Sequence, residues 1–126
     1  MEFESTYPCR PTAPRQARAW SQQRLRDASL DHPGATVVAD DAAVVVSELI
    51  TNAVQAGCGA AVLSLEVDGA RVRIAVSDDV GGQPQVTHSG PSDVRGRGLA
   101  IVAALADTWG VERRGTGKEV WVELTY

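Results

Sequence analysis

The sequence predicts an α+β fold: a two-layer α/β sandwich whose mixed, mostly antiparallel sheet carries its helices on one face. Three observations predict it. Two pairs of short β-rich runs are each joined by a glycine-containing turn, which is the pattern of hairpins. Three longer stretches repeat apolar residues at helical spacing. The resulting order is β-α-α-β-β-loop-α-β-β, so most strands pair with a sequence neighbour and the helices are left to cover one face. The 126 residues fit a single domain over 1–126. Hydrophobic residues make up 44%, yet there is one Phe and there are two Tyr, so the core must rest on Val, Leu, Ile and Ala with three Trp.

The elements follow in order. Glu2 to Tyr7 alternates as a short edge strand, and Pro8 and Pro11 end it because proline cannot donate to a ladder. Thr12 is placed to cap a helix with Pro14 in its first turn. From Arg15 to Leu30 a thin stripe of Ala17, Trp20, Leu25 and Ala28 faces inward, with Arg15, Arg18, Arg24 and Arg26 on the polar side. Asp31-His32-Pro33-Gly34 reads as a loop. Asp40 or Asp41 starts a second helix that runs to Ala56, with Ala42, Val45, Leu49 and Ala53 on one face and Gly57 as its C-cap. Ala61 to Val67 and Arg71 to Val76 form a hairpin around Asp68-Gly69. Asp79 to Arg95 is rich in Gly, Pro and Ser, has no period, and is too long for an ordinary connection. Such a segment reads as a lid or binding loop. A third helix spans Gly98 to Asp107, with Leu99, Val102, Ala103 and Ala106 facing one way. Trp109 to Arg113 and Glu119 to Thr125 make a last hairpin around Gly115-Thr116-Gly117.

Charge and composition exclude several classes. The net charge is −4, and of the twelve basic residues only Lys118 is not Arg. That balance gives no electrostatic footprint for nucleic acid. No stretch approaches the ~18 apolar residues of a membrane span, and the acidic start Met1-Glu2-Phe3-Glu4 is unlike a signal peptide. Cys9 and Cys58 match neither CxxC nor zinc spacing. The default is therefore a soluble cytoplasmic protein with reduced, inert thiols.

Four local features carry chemistry. Glu48 and Asn52 lie four apart on the second helix, hence on one face. The Asn carbonyl is a hard neutral ligand suited to Mg²⁺, and the carboxylate one turn away can serve as a general base. Asp78 ends a strand ahead of Gly81-Gly82, where a carboxylate can accept from a base amino group and glycine lets backbone approach. Gly96-Arg97-Gly98-Leu99 opens a helix, so backbone N–H groups point at phosphate, with Arg95 or Arg97 adding charge. Gly115-Thr116-Gly117 lies between the last strands. Taken singly, these also read as a solvated helix face, an acidic turn, a glycine-rich helix entry and a plain hairpin turn.

Together, V-S-E-L-I-T-N-A-V (Val46 to Val54), I-A-V-S-D (Ile74 to Asp78), G-R-G-L-A-I-V-A-A-L-A-D-T-W-G-V (Gly96 to Val111) and G-K-E-V-W-V-E-L (Gly117 to Leu124) resemble the compact bacterial branch of the GHKL ATPase superfamily, from Phe3 to Leu124. That branch holds anti-sigma factors that are also serine protein kinases, and stand-alone histidine-kinase-like ATPase domains. The resemblance implies an ATP-binding α/β sandwich with Mg²⁺ on Asn52, Glu48 as catalytic base and Asp78 on the adenine amino group. It places Gly82 beside the base and Thr51 and Leu99 at the nucleotide. Arg95, Gly96, Arg97 and Gly98 fall at the phosphates, and Gln85 to Arg95 forms the lid. Implied partners are ATP or ADP, a sigma factor, an anti-anti-sigma protein and a second copy of the chain. A nucleotide-dependent protein-binding module without phosphotransfer is the alternative. Two positions depart from the family pattern: Val80 replaces the first glycine of D-x-G-x-G, and Lys118-Glu119 stands where many relatives carry Thr or Ser.

Overall fold

The structure, a computed structural model, describes residues 1–28, 34–80 and 94–125. Strand β1 (Glu2–Pro8) leads into helix α1 (Ala13–Ala28), helix α2 (Ala35–Gln55), strands β2 (Ala60–Asp68) and β3 (Arg71–Asp78), helix α3 (Val94–Leu105), and strands β4 (Thr108–Arg114) and β5 (Gly117–Thr125). The strands form one five-stranded sheet in the order β1-β2-β3-β5-β4. Every neighbouring pair is antiparallel, so the expected mixed sheet narrows to a purely antiparallel one.

Alternation along the strands builds the core. Ala61, Leu63 and Leu65 of β2, Val72, Ile74 and Val76 of β3, and Val120, Val122 and Leu124 of β5 are buried on one face. Against them packs the stripe Val38, Ala42, Val45, Val46, Leu49, Ile50 and Ala53 of α2. On α1 the buried positions are Ala13, Ala17, Ser21 and Leu25, four apart, and this stripe lies on α2. Ser21 fits because its hydroxyl donates to the Arg18 carbonyl, 2.9 Å away, so no polar group is stranded.

Several boundaries differ from the sequence reading. Helix α2 begins at Ala35, not at Asp40 or Asp41, and no side chain caps it at Gly34. Its first turn is held by the backbone, Val38 N–H to Gly34 carbonyl at 3.1 Å, and burial of Val38 and Ala39 extends the stripe past the aspartates. Its C-terminus falls one residue earlier than read: the helix ends at Gln55 with Ala56 as its C-cap, and Gly57, just beyond, takes φ +85°, the left-handed conformation that suits glycine. Helix α3 begins at Val94, so Gly96 and Gly98 sit inside its opening turns instead of ahead of them, and Arg95 is helical, not part of a loop. On α3, Val102 is buried while Ala103 is exposed, so the expected inward stripe is narrower than read.

The cysteines are a correction. Cys9 and Cys58 are joined as a disulfide with their Cα atoms 5.6 Å apart, so the expectation of reduced, unpaired thiols does not hold. The pairing register brings Pro8 opposite Ala60, and the Cys9 N–H donates to the Gly59 carbonyl at 3.1 Å, which sets the two residues side by side. No helix among the described residues is long and apolar enough to cross a membrane.

Candidate functional site

The candidate residues lie on α2, on α3 that packs against it, and on β3 and β5 beneath it. Glu48, Thr51 and Asn52 are half-buried on α2, beside the fully buried Val45, Val46, Leu49 and Ile50. Glu48 has no hydrogen-bond or ion-pair partner among the described residues, so its carboxylate is uncommitted. Asn52 is more telling. Its Nδ2 atom is buried and has no hydrogen-bond partner. A buried polar atom left unpaired costs about 1–3 kcal/mol, so such an atom needs a reason. Turned through 180°, the same amide presents its oxygen at that place. Its chemistry therefore fits a hard cation or a phosphate-bound water. No group of three or more His, Cys, Asp or Glu stands ready to hold a metal among the described residues. Amide, phosphate and water oxygens make a donor set of the kind Mg²⁺ takes.

Asp78 closes β3 directly opposite Lys118 of β5. The two side chains form a buried ion pair, Nζ to Oδ2 at 3.1 Å, and are only 9% and 4% exposed for Lys118 and Asp78. Lys118 also reaches Asp78 Oδ1 at 3.2 Å and the Val80 carbonyl at 3.4 Å. The Val80 N–H donates to Asp78 Oδ1 at 2.8 Å, so the carboxylate folds the turn that follows its own strand. Asp79 is tied elsewhere, accepting from the Gly59 N–H at 3.1 Å. Gly117 makes the close approach possible: a Cβ there would run into the Asp78 carbonyl oxygen.

The two residues of the Lys118-Glu119 departure fall on opposite faces of the sheet. Lys118 shares the inner face with Val120 and Val122. Glu119 lies on the outer face, where it accepts from the Ser77 hydroxyl at 3.1 Å and from Arg114 at 3.1 Å. Arg73 stands 3.9 Å from Glu119 and stacks on Trp121 with its guanidinium 5.3 Å from the ring centre. Glu119 is thus part of an outer-face polar network, on the opposite face of the sheet from Lys118. Val80 packs against the edge of the core.

Of the residues singled out from the sequence, Glu48, Thr51 and Asn52 share α2, and Asp78 lies at the end of the strand that packs beneath that helix. Arg95, Gly96, Arg97, Gly98 and Leu99 occupy the first half of α3, which packs on α2. Gly82 and the lid segment up to residue 93 lie outside the described residues. Lys118, noted in the sequence only as a departure from the family pattern, is set beside Asp78 by the β3–β5 register, which puts it in the inner-face row with Val120.

The profile of the histidine kinase-like ATPase domain family matches residues 7–124. No curated protein sequence matches the chain. Among solved structures, the RsbU and RsbW domains of Rv1364c from Mycobacterium tuberculosis superpose with a TM-score of 0.72 at 20% identity, covering 99% of this chain and 32% of that one. The histidine kinase domain of the blue-light activated histidine kinase of Erythrobacter litoralis EL346 gives a TM-score of 0.50 at 27% identity, covering 69% of this chain and 44% of that one. The catalytic domain of the histidine kinase ThkA, in a nucleotide-free form, gives 0.50 at 16% identity, covering 98% of this chain and 95% of that one. The chain therefore spans less than half the length of the first two.

Proposed function

The chain belongs to the histidine kinase-like ATPase domain family, and from that premise we propose that it is an ATP-binding regulatory protein, an anti-sigma factor that is also a serine protein kinase. The observation that carries this reading is the pair on α2: an uncommitted Glu48 carboxylate one turn from an Asn52 amide whose buried end lacks a partner. In this reading Asp78 accepts from the adenine amino group. Asn52 would hold Mg²⁺, which when bound would offset the negative charge of the phosphates. The opening turns of α3 bring backbone N–H groups to the phosphates.

Glu48 then does the proton work. The serine hydroxyl of the anti-anti-sigma partner gives its proton to the Glu48 carboxylate as its oxygen bonds to the γ-phosphorus. The bond from that phosphorus to the bridging oxygen breaks, and ADP leaves with the electron pair. Charge relief of this kind is felt in the transition state and hardly in the ground state. Glu48→Gln keeps the shape and removes the basicity. Single-turnover phosphotransfer should fall by about 10²–10⁴-fold while ADP affinity is unchanged. A wild-type chain that binds ATP and transfers phosphate to no serine would instead be a nucleotide-dependent binding module. Equal loss of rate and affinity would make Glu48 a positioning residue for Asn52.

A further inference from the structure

The Asp78–Lys118 pair is arranged as more than a clasp between two strands. Resting on the reading that this pocket takes an adenine nucleotide, we propose that Lys118 is a second base-reading residue. It donates from its ammonium to the ring nitrogen of adenine that neighbours the amino group accepted by Asp78.

A count of donors and acceptors carries the inference. A carboxylate offers about four lone-pair positions and an ammonium three hydrogens. On Asp78, Oδ1 receives the Val80 N–H at 2.8 Å and the Lys118 ammonium at 3.2 Å, while Oδ2 receives only the ammonium, at 3.1 Å. One acceptor position remains on Oδ2. Seen from Nζ of Lys118, the two oxygens of one carboxylate lie in nearly the same direction, so a single shared N–H serves both, and the Val80 carbonyl takes a second. The third has no partner among the described residues. The pair therefore presents one free acceptor beside one free donor, with 3.1 Å between the two atoms. The edge of adenine presents a donor, its amino group, beside an acceptor, its ring nitrogen. The two edges are complementary in order as well as in kind.

Position and burial make the edge rigid. Lys118 is the direct cross-strand partner of Asp78, and glycine at 117 lets β5 close onto the Asp78 backbone. With both side chains at least nine-tenths buried, water cannot substitute cheaply for a missing contact. A site built this way rejects ligands that leave its polar groups unpaired. A 6-oxopurine inverts the pattern, setting a carbonyl oxygen against the carboxylate and a ring N–H against the ammonium.

The test is calorimetric titration of the wild-type protein with ADP, with 1-deaza-ADP, in which C–H replaces that ring nitrogen, and with IDP. The expected result is that 1-deaza-ADP binds at least about ten-fold more weakly than ADP and IDP more weakly still. Lys118→Met should then bind ADP and 1-deaza-ADP alike. Equal affinity of the wild-type protein for ADP and 1-deaza-ADP overturns the role of Lys118 while leaving the pocket as an adenine site. A folded wild-type protein that binds no adenine nucleotide overturns the underlying reading, and this role with it. The wild-type comparison decides the matter even if Lys118→Met fails to fold.

Discussion

Asp78 joins its strand to the turn after it and, in the function proposed, takes the adenine amino group, and its replacement separates these roles. Asp78→Asn keeps the shape but removes the charge that balances Lys118. Losing a charged hydrogen bond to the base should weaken ADP binding by roughly 1.5–3 kcal/mol. Leaving the ammonium buried without its counter-charge should lower folding stability by about 3–5 kcal/mol. Titration calorimetry and urea unfolding read the two losses independently, and an unchanged Asn variant in both would refute the account of this residue. At Asn52 the readout is metal dependence. The factor by which Mg²⁺ strengthens ATP binding should shrink in Asn52→Ala, and an identical factor in both proteins would remove Asn52 from the cation. The placement of Glu48 and Asn52 on one helix and of Asp78 at a strand end was legible in the sequence, because each belongs to a short local pattern. Lys118 was not, because its meaning depends on register: nothing in G-T-G-K-E says which of Lys118 and Glu119 will lie opposite Asp78 on the inner face. The strands settle this by burying Val120, Val122 and Leu124, which draws Lys118 inward and turns Glu119 outward to Ser77 and Arg114.

Helix α2 ties stability to the site, since residues on its inner side fill the core while Glu48, Thr51 and Asn52 lie half-buried beside them. Ile50 is fully buried two positions from both Glu48 and Asn52. Ile50→Ala should cost about 2–5 kcal/mol through lost contacts and the cavity left behind. Urea denaturation measures it, and a loss well under 1 kcal/mol would mean that the core closes around the gap. The helix was readable from its stripe, but its start was not. Aspartate is a good N-cap residue and drew the boundary to Asp40 or Asp41, whereas the actual first turn is uncapped by side chains and stands on tertiary burial of Val38 and Ala39. The same lesson applies to α3, where glycines read as a helix entry lie within the helix. The Cys9–Cys58 link joins the end of β1 to the exit of α2 across a separation of 49 residues. No spacing rule reaches that far; only the β1–β2 register shows the two together. Closing a loop of this length in the unfolded chain is worth about 4 kcal/mol in the chain-entropy model. Cys9→Ser should therefore unfold at lower urea than the oxidised wild type and match the reduced one. Identical midpoints with and without reductant, alongside two free thiols by mass spectrometry, would show that the bond does not form.

On the scale of the molecule, helices on one face and a charged, Trp-bearing face on the other divide the sheet's work between core and surface. The fold class was legible because hairpin turns and helical stripes are local signals, and the antiparallel order follows from them. What local signals could not supply was the insertion of β5 between β3 and β4. If the site described takes nucleotide, the whole fold should register it. A ligand at a hundred times its Kd adds about 2.7 kcal/mol to the folded state. Mg²⁺-ADP should then raise Tm by several degrees, and no shift at saturating concentration would argue against nucleotide binding. The strand order has a consequence of another kind. Residues 117–125 leave the ribosome after every segment they pair with, yet they form an interior strand. Until they emerge, β3 has an open edge, β4 has no neighbour in the sheet, and Asp78 lacks its lysine. The sheet therefore closes only after β5 has been synthesised. A nascent chain stalled before residue 117 should remain sensitive to protease, while one extended past residue 125 and clear of the exit tunnel should resist it.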